Sequence, residues 1–453
     1  MIFLFSLMFY GAWRPEFVLL VLFSILFNYL TAFLIYNSNT QRCRKWFCAF
    51  AVGTNLLVLV FFKYLLFFGE IITNIFGALD HKYQLQLPEI ILPLGISFFT
   101  FQAISYVVDV YRREQNPVKD FVLFACYISF FPQLIAGPIL RASEIIGQFQ
   151  KKLTVKSVDL AKGLKLILFG LFLKAVLADN LAPLVDEAFL APAQSISAWD
   201  VMTMSFLFGY QIYFDFAGYS LIAIGCALLF GFEFPSNFFF PYLASSPRDF
   251  WLRWHITLSS WIRDYLYRPL CKTHGESNSL GGLNVQLNSK SSVAPLLLTW
   301  MLMGLWHGAS WNFVLWGAYH GILVLIGRVI YTIMAQKYLP LPKLFGWVLT
   351  LPLIMLGWIP FRSDSLTYCF ELWGRLFDME AYTFLGFREN YYLISLMLMF
   401  LMIISYALWP IINGAAKVGS VPLSSLRAVM LAFCLALVIV FLKPVQQFIY
   451  FQF

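Results

Sequence analysis

Histidine is the residue type in this sequence that is best suited to moving a proton near neutral pH. The chain contains five of them: His81, His255, His274, His307 and His320. His81 and His274 fall in polar stretches, where we expect their rings to be solvated. The other three lie in or beside apolar segments, where an ionisable side chain is costly and is therefore a candidate functional group.

His307 ends an apolar run, Leu297–Trp306, and is followed by Gly308. Neutral imidazole is the usual biological general base, and burial disfavours its charged form. Gly304 and Gly308 leave room for a substrate or for another backbone to approach the ring. The position fits a general base and a structural histidine bonded to a neighbouring helix equally well.

His320 follows His307 by thirteen residues. On one unbroken helix this spacing separates the two rings by roughly 20 Å, which is too far for a shared reacting centre. A break near Gly308–Ser310 would fold them together, and without a break they lie at different depths. We interpret the sequence in the second way, with His320 as a structural residue.

Residues 235–292 form a semi-polar region that breaks the hydropathy pattern, and we predict a mixed helix from Ser246 to Tyr267 within it. Ser246 and Pro247 have the residue types of an N-cap and a first helical position. The apolar residues recur at steps of three and four and form one stripe: Phe250, Trp254, Leu258, Trp261 and Tyr265. The polar loop Thr273–Ser292 follows, and we expect it to be exposed to solvent.

His255 falls on the polar face of this predicted mixed helix, beside Trp254. Its ring is either a packing or hydrogen-bonding group or a second polar group in a reaction channel, and the residues favour neither. Asp249 and Arg253 are four residues apart on the same helix, so we expect them to pair.

Asp215 lies within an otherwise apolar run, Tyr213–Ser220, and a carboxylate there needs a partner. An Arg of the mixed helix is one such partner. A structural ion pair explains Asp215 somewhat better than direct catalysis does.

The composition is that of a chain that crosses a membrane several times. Hydrophobic residues make up 60% and charged residues 12% of the 453 positions, whereas a soluble domain carries about 25% charged residues. Hydropathy windows predict roughly ten to twelve membrane segments, of which those around 128 and 170 are candidates for re-entrant or tilted segments. The segment centres lie near residues 8, 26, 58, 100, 128, 170, 212, 300, 322, 352, 400 and 434.

The net charge of +8 comes from Lys and Arg clusters between the apolar segments. Such clusters favour the cytoplasmic side of a membrane, so the charge does not indicate nucleic-acid binding. The seven cysteines form no C-x-x-C pair, which argues against a disulfide framework and a zinc site. Neither a nucleotide-binding nor a zinc-protease motif is present, so we predict no metal and no tightly bound cofactor.

Five ordered signatures resemble those of the membrane-bound O-acyltransferase (MBOAT) family, and within it the alginate O-acetyltransferase (AlgI-like) subgroup. They are Leu92–Gln102, Phe131–Ile139, Tyr213–Ser220, Phe250–Ser259 and Met303–Ala309. The resemblance extends from the first apolar segment to about residue 365. A single Trp-His-Gly would be weak evidence, but this ordered set is specific.

The resemblance implies an all-α polytopic membrane protein, with a ring of tilted transmembrane helices around a central tunnel and a single membrane domain over residues 1–453. It implies that His307 is the hallmark catalytic histidine and that His255 is a second catalytic position. The protein would lie in the bacterial inner membrane. There it would pass an acyl group from a cytoplasmic thioester donor, acetyl-CoA or an acyl carrier protein, to a hydroxyl of an extracytoplasmic polysaccharide such as alginate. An SGNH-type acyltransferase partner would complete the transfer.

The expected donor and substrate site combines positive charge, suited to the donor's phosphates, with aromatic side chains. The cationic residues are Arg248, Arg253, Arg263, Arg268 and Lys272, and the other candidates are Trp306, Trp254 and Asp215. One departure from the subgroup follows Pro269–Leu270, where Cys271–His274 replaces the expected Gly-Gly-Ser/Asn arrangement. This departure concerns how the donor or the partner protein docks, and it does not concern the acyl-transfer chemistry.

Two other functions remain open from the sequence. A transporter or flippase would use the same buried His and Asp as a proton relay or a binding site. A non-catalytic scaffold would hold together a polysaccharide-modifying complex. The mixed helix and the lack of a visible internal repeat argue against the transporter.

Overall fold

The computed structural model describes residues 1–78, 87–88, 90–135, 137–151, 157–271, 293–336, 342–415 and 421–442, and over these residues the chain is helical without a β-strand. The α-helices of this part of the chain are α1 Ile2–Gly11, α2 Val18–Asn37, α3 Gln41–Ala78, α4 Ile96–Arg112, α5 Phe121–Ser129, α6 Phe131–Leu134, α7 Ala142–Phe149, α8 Ser157–Leu171, α9 Asp179–Leu190, α10 Ala198–Leu229, α11 Pro247–Trp251, α12 Ile256–Ile262, α13 Arg268–Leu270, α14 Val293–His307, α15 Trp311–Gln336, α16 Lys343–Leu356, α17 Ile359–Arg362, α18 Leu366–Arg375, α19 Glu389–Ala415 and α20 Val421–Phe441. Two π-helical segments are Phe172–Ala178 and Arg263–Tyr267. A helix satisfies its own backbone polar groups, which is what a lipid environment requires. The all-α prediction is confirmed.

Six helices in the described residues are long and apolar enough to cross a membrane. They are Pro15–Asn37, Gln41–Gly77, Ala198–Leu229, Trp311–Met334, Lys343–Arg362 and Glu389–Leu408. Three shorter apolar helices are Ile2–Gly11, Val293–His307 and Ala428–Phe441. All the segment centres predicted from the sequence fall on helices. The helix around residue 128, however, has only 9 residues, fewer than the roughly 20 that a full crossing needs.

Met1–Leu164 and Ala223–Pro235 form one compact unit. Helices α2, α3 and α4 pack on one another in it. Asn55 Nδ2 donates to Asn28 Oδ1 at 2.7 Å, which joins α3 to α2 through a buried amide pair. Gly95 has a φ of +69°, and a Cβ there would lie 1.9 Å from the carbonyl oxygen of Leu134. Only glycine fits this contact, which fixes the start of α4.

Lys165–Ile222 and Ser236–Phe453 form a second compact unit, which contains the three candidate histidines. Its core is aromatic, and Trp254, Trp316 and Trp358 are among its largest fully buried side chains. Helices α14 and α15 form a hairpin whose two arms are in extensive contact. This hairpin and the segments from α10 to α13 supply the candidate site.

The mixed helix predicted from Ser246 to Tyr267 is broken, which corrects the sequence interpretation. Helix α11 ends at Trp251, and α12 begins at Ile256. The predicted N-cap is confirmed, because Ser246 Oγ accepts a hydrogen bond from the backbone N–H of Asp249 at 3.1 Å. The apolar stripe continues across the break at helical spacing, so periodicity alone does not reveal it.

Some predictions lie outside the described residues. They concern His81, Lys272, His274 and the loop Thr273–Ser292. The ring of helices around a tunnel and the single domain over residues 1–453 stay predictions.

Candidate active site

Glycines bring the two arms of the α14–α15 hairpin together. A Cβ at Gly304 would lie 2.1 Å from the carbonyl oxygen of Phe313, and one at Gly317 would lie 2.2 Å from that of Trp300. A Cβ at Gly308 would lie 2.0 Å from the ring of Phe313. The opposite arm therefore fills the space beside both glycines. At Gly304 it does so with its backbone, which is one of the two alternatives that the sequence left open, and at Gly308 with the Phe313 side chain. This close packing fixes His307 at the last position of α14.

His307 is 4% exposed and is surrounded by aromatic rings. Its ring centroid lies 4.8 Å from that of Trp306, 4.9 Å from that of Trp316 and 5.3 Å from that of Phe361. All three contacts are edge-to-face. The ring therefore lies in a dry, apolar environment, where electrostatic interactions are stronger than in water.

His320 lies much closer to His307 than the sequence interpretation placed it. The break at Gly308–Ser310 exists, and α15 runs back along α14. Both imidazole centroids lie 4.9 Å from the Trp316 ring, so they lie within twice that distance of each other. The interpretation of different depths is wrong, because the hairpin turn replaces the unbroken helix on which it depended.

His255 is 0% exposed, whereas the sequence placed it on a polar helix face. Its ring lies 4.5 Å from that of Phe216 and 6.4 Å from that of Trp306. Trp306 therefore contacts both His255 and His307. Burial lowers the pKa of His255 to about 3, so the ring is neutral at physiological pH.

The break at His255 is held by Asn237. His255 has a φ of +42°, in the left-handed region that non-glycine residues rarely adopt. The carbonyl of Asn237 accepts from the N–H of Ile256 at 2.9 Å, and its Oδ1 accepts from the hydroxyl of Thr257 at 2.7 Å. Its Nδ2 donates to Ser220 of α10 at 3.2 Å. These hydrogen bonds offset the conformational strain of the left-handed backbone at His255. The backbone turn at this residue leaves the imidazole buried.

Asp215 forms a buried ion pair with Lys174, a residue that the sequence interpretation did not consider. Lys174 also pairs with Asp179 at 2.8 Å. The pair forms where two backbones touch, since a Cβ at Gly170 would lie 2.6 Å from the carbonyl oxygen of Gly218. Lys174 belongs to the π-helical segment, which offsets it from a regular helical position. The prediction of a structural ion pair fits this geometry.

The candidate arginines line a cavity, form ion pairs, or do both. Arg248 and Arg263 line a cavity of about 240 Å³. Arg253 pairs with Asp249 at 2.8 Å, as predicted. Asp264 pairs with both Arg263, at 2.7 Å, and Arg268, at 3.0 Å. Trp254 is fully buried in the aromatic core, with its ring 4.9 Å from that of Trp358.

The cavity lies along α14, and His307 is not part of its wall. Its wall includes Leu296, Thr299 and Met303, which occupy successive turns of that helix. Met303 and His307 are four residues apart and therefore share a helix face. The cavity wall thus reaches to within one helical turn of the imidazole.

Sequence reasoning missed Trp316, Phe361, Asn237 and Lys174. Trp316 lies four residues before His320, so the i, i+4 spacing could have paired their side chains. The other three meet the site through contacts between elements distant in sequence, for which the single sequence contains no local signal.

The fold and the site together define a multi-pass membrane protein with two buried histidines beside one tryptophan. Residues 112–359 match the family model of the membrane-bound O-acyltransferase family, MBOAT. The chain is 35% identical to a protein of Azotobacter vinelandii described as probable alginate O-acetylase AlgI, over 83% of this chain and 72% of the relative. It is 36% identical to the peptidoglycan O-acetyltransferase of Helicobacter pylori, over 80% of this chain and 70% of the relative. The teichoic acid D-alanyltransferase of Streptococcus thermophilus is 29% identical over 51% of this chain and 56% of its own length.

The chain therefore belongs to the membrane-bound O-acyltransferase family. The resemblance inferred from its five signatures is confirmed, and so is the prediction that it is an O-acyltransferase embedded in a membrane.

Proposed function

We propose that the protein is an O-acetyltransferase that moves an acetyl group from a cytoplasmic thioester donor across the membrane toward a hydroxyl of an extracytoplasmic polysaccharide. His307 is the general base in this proposal. The observation that carries it is the burial of His307 at the tip of a helical hairpin, one helical turn beyond a cavity with two arginines in its wall. Such an arrangement suits the meeting of a thioester and a base away from bulk water.

The reaction consumes no net proton. A ring nitrogen of His307 accepts the proton of the acceptor hydroxyl as its oxygen attacks the thioester carbonyl. The C–S bond then breaks, and the proton passes to the leaving thiolate. General-base help of this kind typically contributes about 10²–10⁴-fold. The rings of Trp306, Trp316 and Phe361 exclude bulk water from the His307 ring, which favours transfer over hydrolysis.

We assign the donor to the cavity along α14. Arg248 and Arg263 supply positive charge for phosphate groups, and Asp264 offsets part of the charge of Arg263. The remaining wall is largely apolar and includes Trp251, Leu296, Trp300 and Met303. This combination fits a phosphorylated arm that ends in a thioester, as acetyl-CoA and acyl carrier proteins provide. Because basic segments favour the cytoplasmic side, donor entry from the cytoplasm follows.

His255 is the second polar group of the proposed site. It shares Trp306 with His307 and is neutral, so it can donate or accept a hydrogen bond without carrying a charge. We propose that it orients a substrate and does not abstract the proton. Trp306, whose ring contacts both imidazoles, is the third member of the proposed site.

The proposal also includes the molecule that accepts the acetyl group and a second protein that acts with this chain. The relatives named for alginate and for peptidoglycan support a glycan acceptor. An SGNH-type acyltransferase outside the membrane is the proposed partner that completes the transfer. The bacterial inner membrane is the location at which a cytoplasmic donor and an extracytoplasmic glycan can both be reached.

The test is mass spectrometry of O-acetyl esters on surface glycans of cells that produce the wild type or His307→Ala. We expect esters only with the wild type, and equal amounts of folded protein in the membrane. Tyr319→Phe is the matched control, since it removes one hydroxyl from the same hairpin, the donor to Leu353 O at 2.7 Å. Wild-type ester levels in His307→Ala would reject the general base and favour a scaffold. Solute transport in vesicles without a donor or an acylated product would favour a transporter.

A further inference from the structure

Three indole side chains of the second unit meet around the buried ring of His320. The His320 ring is 0% exposed, and neither ring nitrogen has a hydrogen-bond partner among the residues that the structure describes. The indole N–H groups of Trp251, Trp316 and Trp358 likewise have no partner within the described ranges. These three rings lie 5.2, 4.9 and 6.2 Å from the imidazole. The cluster therefore gathers polar groups where an apolar core would have none.

An apolar residue would be the more stable choice at position 320 if packing were the only requirement. Buried polar groups without a hydrogen bond destabilise a protein, and nearly all such groups in native structures are satisfied. A neutral imidazole offers one donor and one acceptor, whereas an indole offers only a donor. A water molecule matches this set, because it can accept from indole N–H groups and donate to the imidazole.

The His320 ring is confined on its far side. A Cβ at Gly357 would lie 2.8 Å from His320 Nε2 and 3.0 Å from its Cε1. The ring therefore abuts the backbone that follows α16 and cannot move further in that direction. On its other side it makes an edge-to-face contact with Trp316, which makes the same type of contact with His307.

We propose that His320 is a positioning residue, which holds the indole of Trp316 against His307 through a buried water shared between an imidazole nitrogen and Trp316 Nε1. The inference rests on the proposed role of His307 as general base. His320 acts through Trp316 and does not touch the reacting atoms. Trp316 forms one wall of the His307 environment, so the orientation of its indole sets the orientation of the base.

Two substitutions remove the shared hydrogen bonds and keep a ring in place. Trp316→Phe removes the indole N–H, and His320→Phe removes the imidazole nitrogens. Each variant should lower the maximal rate per protein about 10²-fold, the effect of a misplacement of roughly 1 Å. The KM for acetyl-CoA should stay unchanged, because neither residue lines the cavity assigned to the donor.

The double variant tests whether the two residues act as one unit. If His320 acts only through Trp316, the double variant is no slower than Trp316→Phe alone. His320→Gln, which retains a donor and an acceptor, should keep a larger share of the rate than His320→Phe. A role in packing alone predicts the opposite order, since glutamine lacks the ring.

The assay uses membrane vesicles that contain the full chain, the proposed SGNH-type partner and the acceptor glycan, supplied with radiolabelled acetyl-CoA, and follows label in the glycan fraction. Thermal unfolding of each purified variant reports its folding, and Tyr319→Phe is the control for change within α15. A wild-type rate in Trp316→Phe overturns the inference. So does a double variant whose fold-reduction in rate equals the product of the fold-reductions of the two single variants. If His320→Phe does not fold, the maximal rates of Trp316→Phe and His320→Gln, compared with the wild type, test the inference in its place. Absence of label with the wild type instead refutes the proposed function.

Discussion

Gly304→Ala is predicted to disable the site without touching a substrate. The added methyl group would lie 2.1 Å from the carbonyl oxygen of Phe313, whereas Cβ atoms essentially never come closer than 3.0 Å to another heavy atom. The obstacle is backbone, so α14 and α15 must separate by about 1 Å. A displacement of that size in a catalytic group lowers rates about 10²-fold. Crowding in a packed core also costs about 1–3 kcal/mol of stability.

The assay is label transfer from acetyl-CoA to glycan in vesicles, together with thermal unfolding of the purified protein. Gly53→Ala is the matched control, because it adds the same methyl group inside α3 where nothing lies within 4 Å. It should leave the rate unchanged and slightly stabilise the helix, since alanine is the better helix former by about 1 kcal/mol. A wild-type rate in Gly304→Ala would refute the argument that the hairpin contact positions His307.

Three further predictions concern the second unit. Lys174→Met should destabilise the protein by about 3–5 kcal/mol, because it leaves two carboxylates without their shared cation; a melting temperature no lower than that of Asp215→Asn would contradict this. Asp200 accepts hydrogen bonds from the N–H groups of Ser197 and Gly386, at 2.7 and 2.8 Å, so Asp200→Asn should cost about 1–3 kcal/mol in thermal unfolding. His255 has a folded-state pKa of about 3, below the ordinary 6.5. The unfolded chain therefore binds more protons between these values, and stability falls as the pH decreases through this window. His255→Asn, which does not titrate, should show a smaller drop in melting temperature between pH 7 and pH 5, and an equal drop would disprove the linkage.

The chemistry of the candidate site was accessible from residue types, but the arrangement was not. His307 and His255 were identified because ionisable side chains in apolar segments are rare, and the burial of both agrees with that reasoning. The ion-pair partner of Asp215 is Lys174, 41 positions earlier in the chain. No local pattern encodes such a contact, because it depends on the crossing of two helices at Gly170 and Gly218.

The mixed helix shows where periodicity fails. The apolar stripe through Phe250, Trp254 and Leu258 has helical spacing, and all three residues are buried. Yet the helix breaks at His255, because Asn237 supplies hydrogen bonds that stabilise a left-handed backbone there. Spacing reports which residues are buried, whereas the path of the backbone between them depends on polar partners from elsewhere in the chain.

The amino-acid composition and the ordered motifs are enough to indicate that this protein is helical, that it crosses a membrane and that it belongs to an acyltransferase family. That His307 and His320 share Trp316 is visible only in the folded chain. A turn of three residues, Gly308–Ser310, replaces a separation along one helix by packing of both imidazoles against the same indole. The physical reason is that glycines such as Gly304 and Gly317 permit backbone-to-backbone packing, and their partners are defined only once the hairpin has closed.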